Sequence, residues 1–269
     1  MFLAQVVFVL LFFTLPAHAF DATCGTLPVI DSKSEESDIP SIVSIRAKID
    51  VAVSYKPAIS PHALLVPVTI EQSGNGFVKG GFIITSAHIF VPETLRFSDG
   101  VRVYRLPVVS IKNTDISVDG LPAHIEYINR RRDVAVLSLD PSITLSELPF
   151  PFVETWIDEH AGTSHLEPGN CLSMVNVGNV PESGLFLSTF AIAEDNFIAQ
   201  SMSEEVFTTS LKLVYGNSGL PVVGFREGIP VLVGIATATR YPAELYGFVT
   251  RIDTLIPIIE ALKHRMPHE

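Results

Sequence analysis

Three separate segments of the sequence carry a histidine, an aspartate and a serine that together could perform acyl transfer. His88 ends an apolar run among small residues, Asp133 opens another apolar run, and Ser218 lies in a Gly-Asn-Ser-Gly sequence that begins at Gly216. A serine hydroxyl is a weak nucleophile until an imidazole takes its proton, and the imidazole needs a carboxylate to fix its tautomer and stabilise its charged form. Each segment alone is an ordinary turn or strand end. Together, in the order His, Asp, Ser, they predict a catalytic triad.

The glycines on both sides of Ser218 meet a second requirement of the same chemistry. Glycine adopts backbone dihedral angles that other residues avoid, so successive N–H groups in such a turn can converge on one point. Converging N–H donors are what the oxyanion formed during acyl transfer requires. The turn is therefore a candidate for both the nucleophile and the donors that bind the oxyanion.

The elements that would position these residues are short β-strands. Apolar residues recur mostly with period two or in short runs, separated by Gly, Pro, Asn, Asp and Ser, which is typical of an all-β chain. About a dozen strands fit, enough for two six-stranded antiparallel β-barrels joined by residues 140–169. The expected strands are 42–55, 65–70, 76–85, 101–111, 124–128, 134–139, 171–177, 185–193, 207–213, 220–225, 231–237 and 247–252.

The end of the chain predicts one amphipathic helix. Leu255, Ile258, Ile259 and Leu262 follow the i, i+3, i+4, i+7 spacing of one helical face. Asp253 precedes them together with a threonine, so we expect a capped start.

The three segments resemble those of the trypsin/chymotrypsin-like serine peptidases. The Gly-Asn-Ser-Gly motif is similar to that of the bacterial branch that includes the HtrA-type proteases. The resemblance covers about residues 42–262. It implies a first β-barrel over 41–145 that supplies His88 and Asp133. A second barrel over 146–269, including the terminal helix, would supply Ser218.

The resemblance also implies a role for each residue. His88 would be the general base and then the general acid, Asp133 its orienting partner and Ser218 the nucleophile of a serine endopeptidase. The backbone N–H groups of Gly216 and Ser218 would form the oxyanion hole. The substrate would be a protein or peptide. The residues that resemble the family's substrate-binding strand are Thr237, Ala238 and Thr239.

The sequence departs from the family pattern at several positions. Asn217 stands where clip-activated members have an aspartate, so activation by an ion pair with a new N-terminus is not expected. Leu220 stands where many members have a second glycine, which could tilt the loop after the nucleophile. The expected pocket-lining runs contain no carboxylate and Lys212 lies nearby, so small apolar or acidic side chains are the alternatives for specificity. We expect no peptide-binding PDZ module behind the catalytic domain.

Two other function classes compete with the peptidase. A trypsin-like fold without turnover could act as a binding or regulatory protein, since fold does not imply function. A metal site could use His160 and His165 with Asp158 or Asp195, but their spacing is loose and favours solvated loop histidines. We therefore expect no metal and no other cofactor.

The charge of the chain argues against nucleic acid as a partner. The formal net charge is -11, and such a surface repels phosphate backbones. The basic cluster Arg130-Arg131-Arg132 is short, and a solvated loop edge is the preferred interpretation.

The first nineteen residues predict an export signal. They contain no charged side chain, and an apolar run ends before a proline and Ala17-His18-Ala19, so we expect cleavage before Phe20. Because a basic start is missing, an uncleaved anchor remains the alternative. After cleavage we expect no stable membrane insertion, a periplasmic or secreted protein, and a loose N-terminal arm over residues 20–40.

The two cysteines of the chain fit export. Cys24 and Cys171 could form one disulfide in an oxidising compartment. The alternative is that Cys171 is a buried apolar residue of a strand.

Overall fold

A computed structural model of the chain describes eleven segments of the sequence, which form two antiparallel sheets and one α-helix. The described residues are 20–27, 37–56, 62–98, 103–153, 166, 169–175, 182–192, 199–200, 206–214, 216–239 and 247–265. The predicted signal peptide and the four residues of the possible metal site lie outside them.

The first sheet contains eight strands in the order β4-β5-β1-β2-β3-β8-β7, with β6 paired to β5. In β1, apolar residues such as Ile45 and Ile49 are buried while Arg46 and Lys48 are exposed, because successive side chains of a strand point to opposite faces. The strands are β1 (Ile42–Tyr55), β2 (Leu64–Lys79), β3 (Phe82–Thr85), β4 (Thr94–Ser98), β5 (Val103–Val118), β6 (Leu121–Pro122), β7 (His124–Asn129) and β8 (Val134–Ser138).

The second sheet contains seven strands in the order β11-β10-β12-β15-β14-β13-β9. An additional pairing of β10 with β9 closes six of the described strands into a ring, and β11 lies outside this ring. The strands are β9 (Cys171–Met174), β10 (Glu182–Ile192), β11 (Ala199–Gln200), β12 (Val206–Thr209), β13 (Pro221–Arg226), β14 (Ile229–Thr239) and β15 (Gly247–Arg251).

The observed strands confirm the all-β fold with two curled sheets and a C-terminal helix. Three described strands were not expected: β4, β6 and β11, which are too short or too polar to show a clear alternation. The expected strand 76–85 is divided, because Gly80 and Gly81 have φ of 65° and 81° and turn the chain between β2 and β3.

Strands β3 and β8 are buried on both faces and join the two cores. Ile83 and Leu137 belong to the core of the first sheet, whereas Ile84 and Val136 belong to a larger core shared with the second sheet. The two sheets therefore pack against each other along β3 and β8, next to His88 and Asp133.

The C-terminal helix α1 (Ile256–Lys263) confirms the predicted element but not its start. Ile259 and Leu262 are buried as expected. The helix follows a 3₁₀ turn over Asp253–Leu255 and has no side-chain cap. The expected capping is wrong because both Asp253 carboxylate oxygens accept hydrogen bonds from the buried guanidinium of Arg251, at 3.1 and 2.5 Å.

The start of the described chain is docked on the second sheet and is not a loose arm. Phe20 is 4% exposed. The Asp21 N–H donates to the Phe225 carbonyl at 2.7 Å, and the Asp21 carboxylate accepts from the Gly228 N–H at 2.7 Å. The expected loose arm is therefore wrong for residues 20–27, because their backbone and side chains are used in contacts with the second sheet.

A disulfide joins Cys24 to Cys171, with the two Cα atoms 5.2 Å apart. It fastens the docked N-terminal segment to β9. Within the part of the chain that the structure describes, there is no helix with the length and apolar character needed to cross a membrane.

Candidate active site

His88 is delivered to the contact between the sheets by a short 3₁₀ helix. Strand β3 ends at Thr85, and the 3₁₀ turn Ala87–Ile89 follows. Ala87 and Ile89 are fully buried, which fixes the turn, whereas the imidazole between them is 40% exposed. The ring is therefore held by its neighbours and still reaches solvent.

Asp133 is placed beside this turn by strand pairing. Strand β8 begins one residue after it and pairs with β3, with Thr85 opposite Ala135. The aspartate has φ of 51°, a conformation that is uncommon outside glycine. The left-handed backbone at Asp133 directs the side-chain carboxylate towards the 3₁₀ helix that carries His88.

Both carboxylate oxygens of Asp133 accept hydrogen bonds from His88. One binds the backbone N–H at 2.7 Å and the other binds ring Nδ1 at 2.7 Å. The carboxylate thereby keeps the proton of a neutral ring on Nδ1 and leaves Nε2 as the basic nitrogen. This is the orientation that a general base requires.

The electrostatics of the pair raise the pKa of His88 above its ordinary value of 6.5. Burial of the ring is the largest single effect and disfavours the imidazolium, but the hydrogen bond and the negative charge of Asp133 together outweigh it. The ring therefore binds a proton more tightly than a solvated histidine would.

Ser218 lies in a tight loop whose shape depends on glycines. Gly216 and Gly219 have φ of 96° and 88°, in the left-handed region. The Asn217 N–H donates to the Val214 carbonyl at 3.0 Å, and the Asn217 side-chain oxygen accepts from the Val214 N–H at 2.7 Å. Asn217 thus closes the loop locally.

Leu220 anchors the end of this loop. Its side chain is fully buried in the shared core. Its carbonyl accepts from the Ala236 N–H at 2.9 Å, and the Gly219 N–H donates to the Ala236 carbonyl at 2.8 Å. The Leu220 side chain therefore packs beneath the loop, and the two hydrogen bonds with Ala236 fix the loop on β14.

Several hydrogen bonds among the described residues cross between the sheets around these residues. The Asn75 N–H donates to the Ser218 carbonyl at 2.8 Å and the Ser86 hydroxyl donates to the Ala236 carbonyl at 3.2 Å. The Thr250 hydroxyl donates to the carbonyl before Asp133 at 2.7 Å. These bonds place the loops of the three candidate residues side by side.

The Ser218 hydroxyl donates to the carbonyl of Thr237 at 3.3 Å. The described residues show no hydrogen bond between Ser218 and His88. Strand β14 has a register shift against β15 between Ala236 and Ala238, a bulge that leaves the Thr237 carbonyl outside the regular ladder. The serine hydroxyl therefore donates to a carbonyl oxygen that the bulge has removed from the sheet hydrogen bonding.

The expected oxyanion donors have no competing partner among the described residues. The N–H groups of Gly216 and Ser218 make no hydrogen bond there. The Gly216 carbonyl, by contrast, accepts from the side-chain amide of Asn75. The loop can therefore offer two N–H donors to a ligand.

The three expected substrate-binding residues form the end of β14. Thr237 is 3% exposed, and its hydroxyl donates to the Phe248 carbonyl at 3.0 Å. Its side chain therefore contacts the neighbouring strand β15 and does not face solvent. Ala238 and Thr239 pair with Phe248 and Gly247 of β15. Any contact of Thr237 with a substrate would have to use its backbone.

Sequence reasoning missed Asn75, Ser86 and Thr250. The one local signal was that Asn75 lies between two glycines, a pattern typical of a close backbone approach. No group of three metal-ligating side chains occurs among the residues that the structure describes.

No family model and no curated protein sequence matches the chain. In structure, the chain is similar to the HtrA-type protease AlgW, solved with a decapeptide, at a TM-score of 0.53 and 17% identity. A serine endoprotease from Yersinia pestis matches at a TM-score of 0.44 and 17% identity. The chain spans 64% of the length of each, and each match covers 84% of this chain. The first match confirms the two-barrel fold of this protease type.

Proposed function

We propose that the chain is an exported serine endopeptidase in which His88, Asp133 and Ser218 form the catalytic triad. The observation that carries this proposal is the His88–Asp133 pair, in which both carboxylate oxygens are bound to the histidine at 2.7 Å. The loop of Ser218 is hydrogen-bonded to the same part of the first sheet. A histidine held in this tautomer beside a serine loop is the arrangement that acyl transfer uses.

In the proposed reaction, Ser218 first turns its hydroxyl from the Thr237 carbonyl towards Nε2 of His88. Catalytic hydrogen bonds are often long or poorly aligned without substrate and tighten in the complex. His88 takes the serine proton while the oxygen attacks the peptide carbonyl carbon. Asp133 stays ionised and stabilises the imidazolium.

The remaining steps complete peptide hydrolysis. The N–H groups of Gly216 and Ser218 donate to the oxyanion of the tetrahedral intermediate. His88 gives its proton to the leaving amine, and an acyl-enzyme on Ser218 remains. A water molecule, deprotonated by His88, then releases the acid and restores the serine.

The proposed substrates are proteins or peptides in an oxidising compartment. The end of β14 offers backbone groups beside Ser218 with which an extended peptide can pair. The similar HtrA-type structure holds a decapeptide, which fits this class of ligand. The disulfide between Cys24 and Cys171 fits a periplasmic or secreted protein.

A binding protein without turnover is the second candidate. It is favoured by one observation, the hydrogen bond of the Ser218 hydroxyl to Thr237 in place of His88. A serine kept in that position would not be activated. The two candidates differ in whether Ser218 reacts with an electrophile.

The test uses the exported protein beside a Ser218→Ala variant, both with the circular dichroism spectrum of a folded β protein. We expect the first to cut a mixed-peptide library and to take up one organophosphonate per chain, and the variant to do neither. Absence of both cutting and labelling in the folded wild-type protein would favour the binding protein. Cutting that survives in the variant would show that another group is the nucleophile.

A further inference from the structure

Asn75 of β2 contacts the Ser218 loop through both its backbone and its side chain. Its backbone N–H donates to the Ser218 carbonyl at 2.8 Å, and its side-chain amide donates to the Gly216 carbonyl. Its own carbonyl accepts from the Thr85 hydroxyl at 2.5 Å. One residue of the first sheet therefore holds two carbonyl groups of a loop that belongs to the second.

The two carbonyls that Asn75 binds belong to Gly216 and Ser218, the residues whose N–H groups are the expected oxyanion donors. The peptide group that follows Gly216 is held at both ends, because its carbonyl binds Asn75 and its N–H binds the Val214 carbonyl. The N–H groups of Gly216 and Ser218 lie on the peptide groups before and after it. Fixing the middle peptide therefore limits the rotation of both neighbours.

Glycines around Asn75 leave room for the close approach of the Ser218 loop to β2. A Cβ atom on Gly219 would overlap the Asn75 carbonyl, and a Cβ atom on Gly74 would lie 3.2 Å from the Ser218 carbonyl. The loop can approach β2 this closely because position 219 is glycine, whereas a Cβ atom at Gly74 would first overlap the Ile89 side chain. A contact that needs a glycine in the loop is more specific than an ordinary surface hydrogen bond.

We infer that Asn75 is a positioning residue of the oxyanion hole, whose side-chain amide keeps the Gly216 carbonyl turned towards β2 so that the N–H groups of Gly216 and Ser218 face the substrate. This inference rests on the proposed peptidase function. The backbone bond of Asn75 to Ser218 survives any substitution that keeps the backbone, so side-chain variants test the amide alone.

The experiment compares Asn75→Ala with the wild-type protein and with Asn113→Ala as a matched control. Asn113 is an exposed asparagine of β5 whose side chain contacts Asp115 at 3.4 Å. We expect kcat of Asn75→Ala to fall about tenfold to a hundredfold, less than for a lost oxyanion donor, with KM changed less than about threefold. The control should keep both constants.

Two further measurements separate positioning from general stability. Asn75→Gln keeps an amide donor and should recover part of kcat, whereas Asn75→Ala should not. In a Ser218→Ala background, which cannot turn over, Asn75→Ala should leave the affinity for an uncut peptide unchanged. If Asn75→Ala does not fold, Asn75→Ser carries the comparison, because its hydroxyl is too short to reach the Gly216 carbonyl.

The outcomes distinguish this inference from the proposed function. If wild-type protein reacts with an organophosphonate at Ser218 and Asn75→Ala reacts at the same rate, the role of Asn75 is wrong and the peptidase stands. If the substitution raises KM and leaves kcat intact, Asn75 serves substrate binding instead. If folded wild-type protein neither cuts nor reacts, the peptidase proposal fails and the inference fails with it.

Discussion

Asp133 is one of three described non-glycine residues with a positive φ, and its setting differs from that of the other two. Asp119 and Glu227 each precede a glycine in a turn between strands, where a left-handed residue is expected. Asp133 instead opens a buried strand and binds His88 with both oxygens. A strained backbone that aims a carboxylate at a histidine suggests a functional constraint.

The pKa of His88 gives a prediction for pH dependence. A protonated His88 cannot accept the serine proton, so activity should rise with pH through a midpoint above 6.5. Asp133→Asn removes the negative charge, so burial would then place the pKa of His88 below its ordinary value. The midpoint should move to lower pH while kcat falls by about a thousandfold or more. A profile of kcat/KM against pH for both proteins checks this, and an unmoved midpoint would contradict it.

The raised pKa of His88 also makes the stability of the fold depend on pH. A histidine that binds protons more tightly when folded stabilises the fold below its unfolded pKa of about 6.5. This contribution is lost as pH rises through the folded pKa. Activity and this part of the stability therefore change in opposite directions with pH.

The candidate site is built from strand ends and loops held between two sheets. Strands β3 and β8 carry His88 and Asp133 at their ends and are buried on both faces. The Ser218 loop is fixed on β14 through Ala236 and on β2 through Asn75. Neither sheet alone contains all three candidate residues, so the site exists only where the sheets meet.

The Gly219 position tests how closely the loop must approach β2. Gly219→Ala places a Cβ atom against the Asn75 carbonyl in a left-handed backbone, whereas Gly120→Ala, with a similar φ of 89°, meets nothing within 4 Å. The control should lose about 1 kcal/mol, or a few degrees of Tm, from backbone strain alone. Gly219→Ala should lose clearly more Tm and most activity. Equal losses in thermal melting would contradict the packing argument.

The disulfide closes a covalent loop over 147 positions of the chain. It adds to the contacts of Phe20 and Asp21 with the second sheet. In the chain-entropy view, such a bond stabilises the fold by restricting the unfolded state.

Cys24→Ser should reveal the size of that effect. Cys24 is exposed, so its replacement disturbs little else, and the loop length predicts a loss of about 5 kcal/mol. The Tm should then fall by about 10 to 20 °C. Reductant should lower the Tm of wild-type protein by a similar amount and leave the variant unchanged; a shift of the variant as well would show that the reductant acts elsewhere.

The strands were predictable from the sequence because their signal is local. The prediction for β1 matches Ile42–Tyr55 at both ends, since alternation and buried runs persist along its whole length. The loop positions of His88, Asp133 and Ser218 followed from small residues and glycines beside apolar runs. Their meeting as a working triad remains a proposal.

The parts that could not be predicted depend on distant or competing partners. The Asn75 amide and the Gly216 carbonyl are 141 positions apart, and no local pattern indicates that they meet. The Asp253 carboxylate could have capped the helix, but the buried Arg251 guanidinium beside it uses both oxygens. Periodicity carries no information on such choices between partners.

The docking of residues 20–27 constrains the order in which parts of the protein can fold. These residues are synthesised before their partners Cys171, Phe225 and Gly228. The segment can settle only after the Ser218 loop and the hairpin beyond it have been made. An early segment of the chain therefore docks late, on a second sheet that is already assembled.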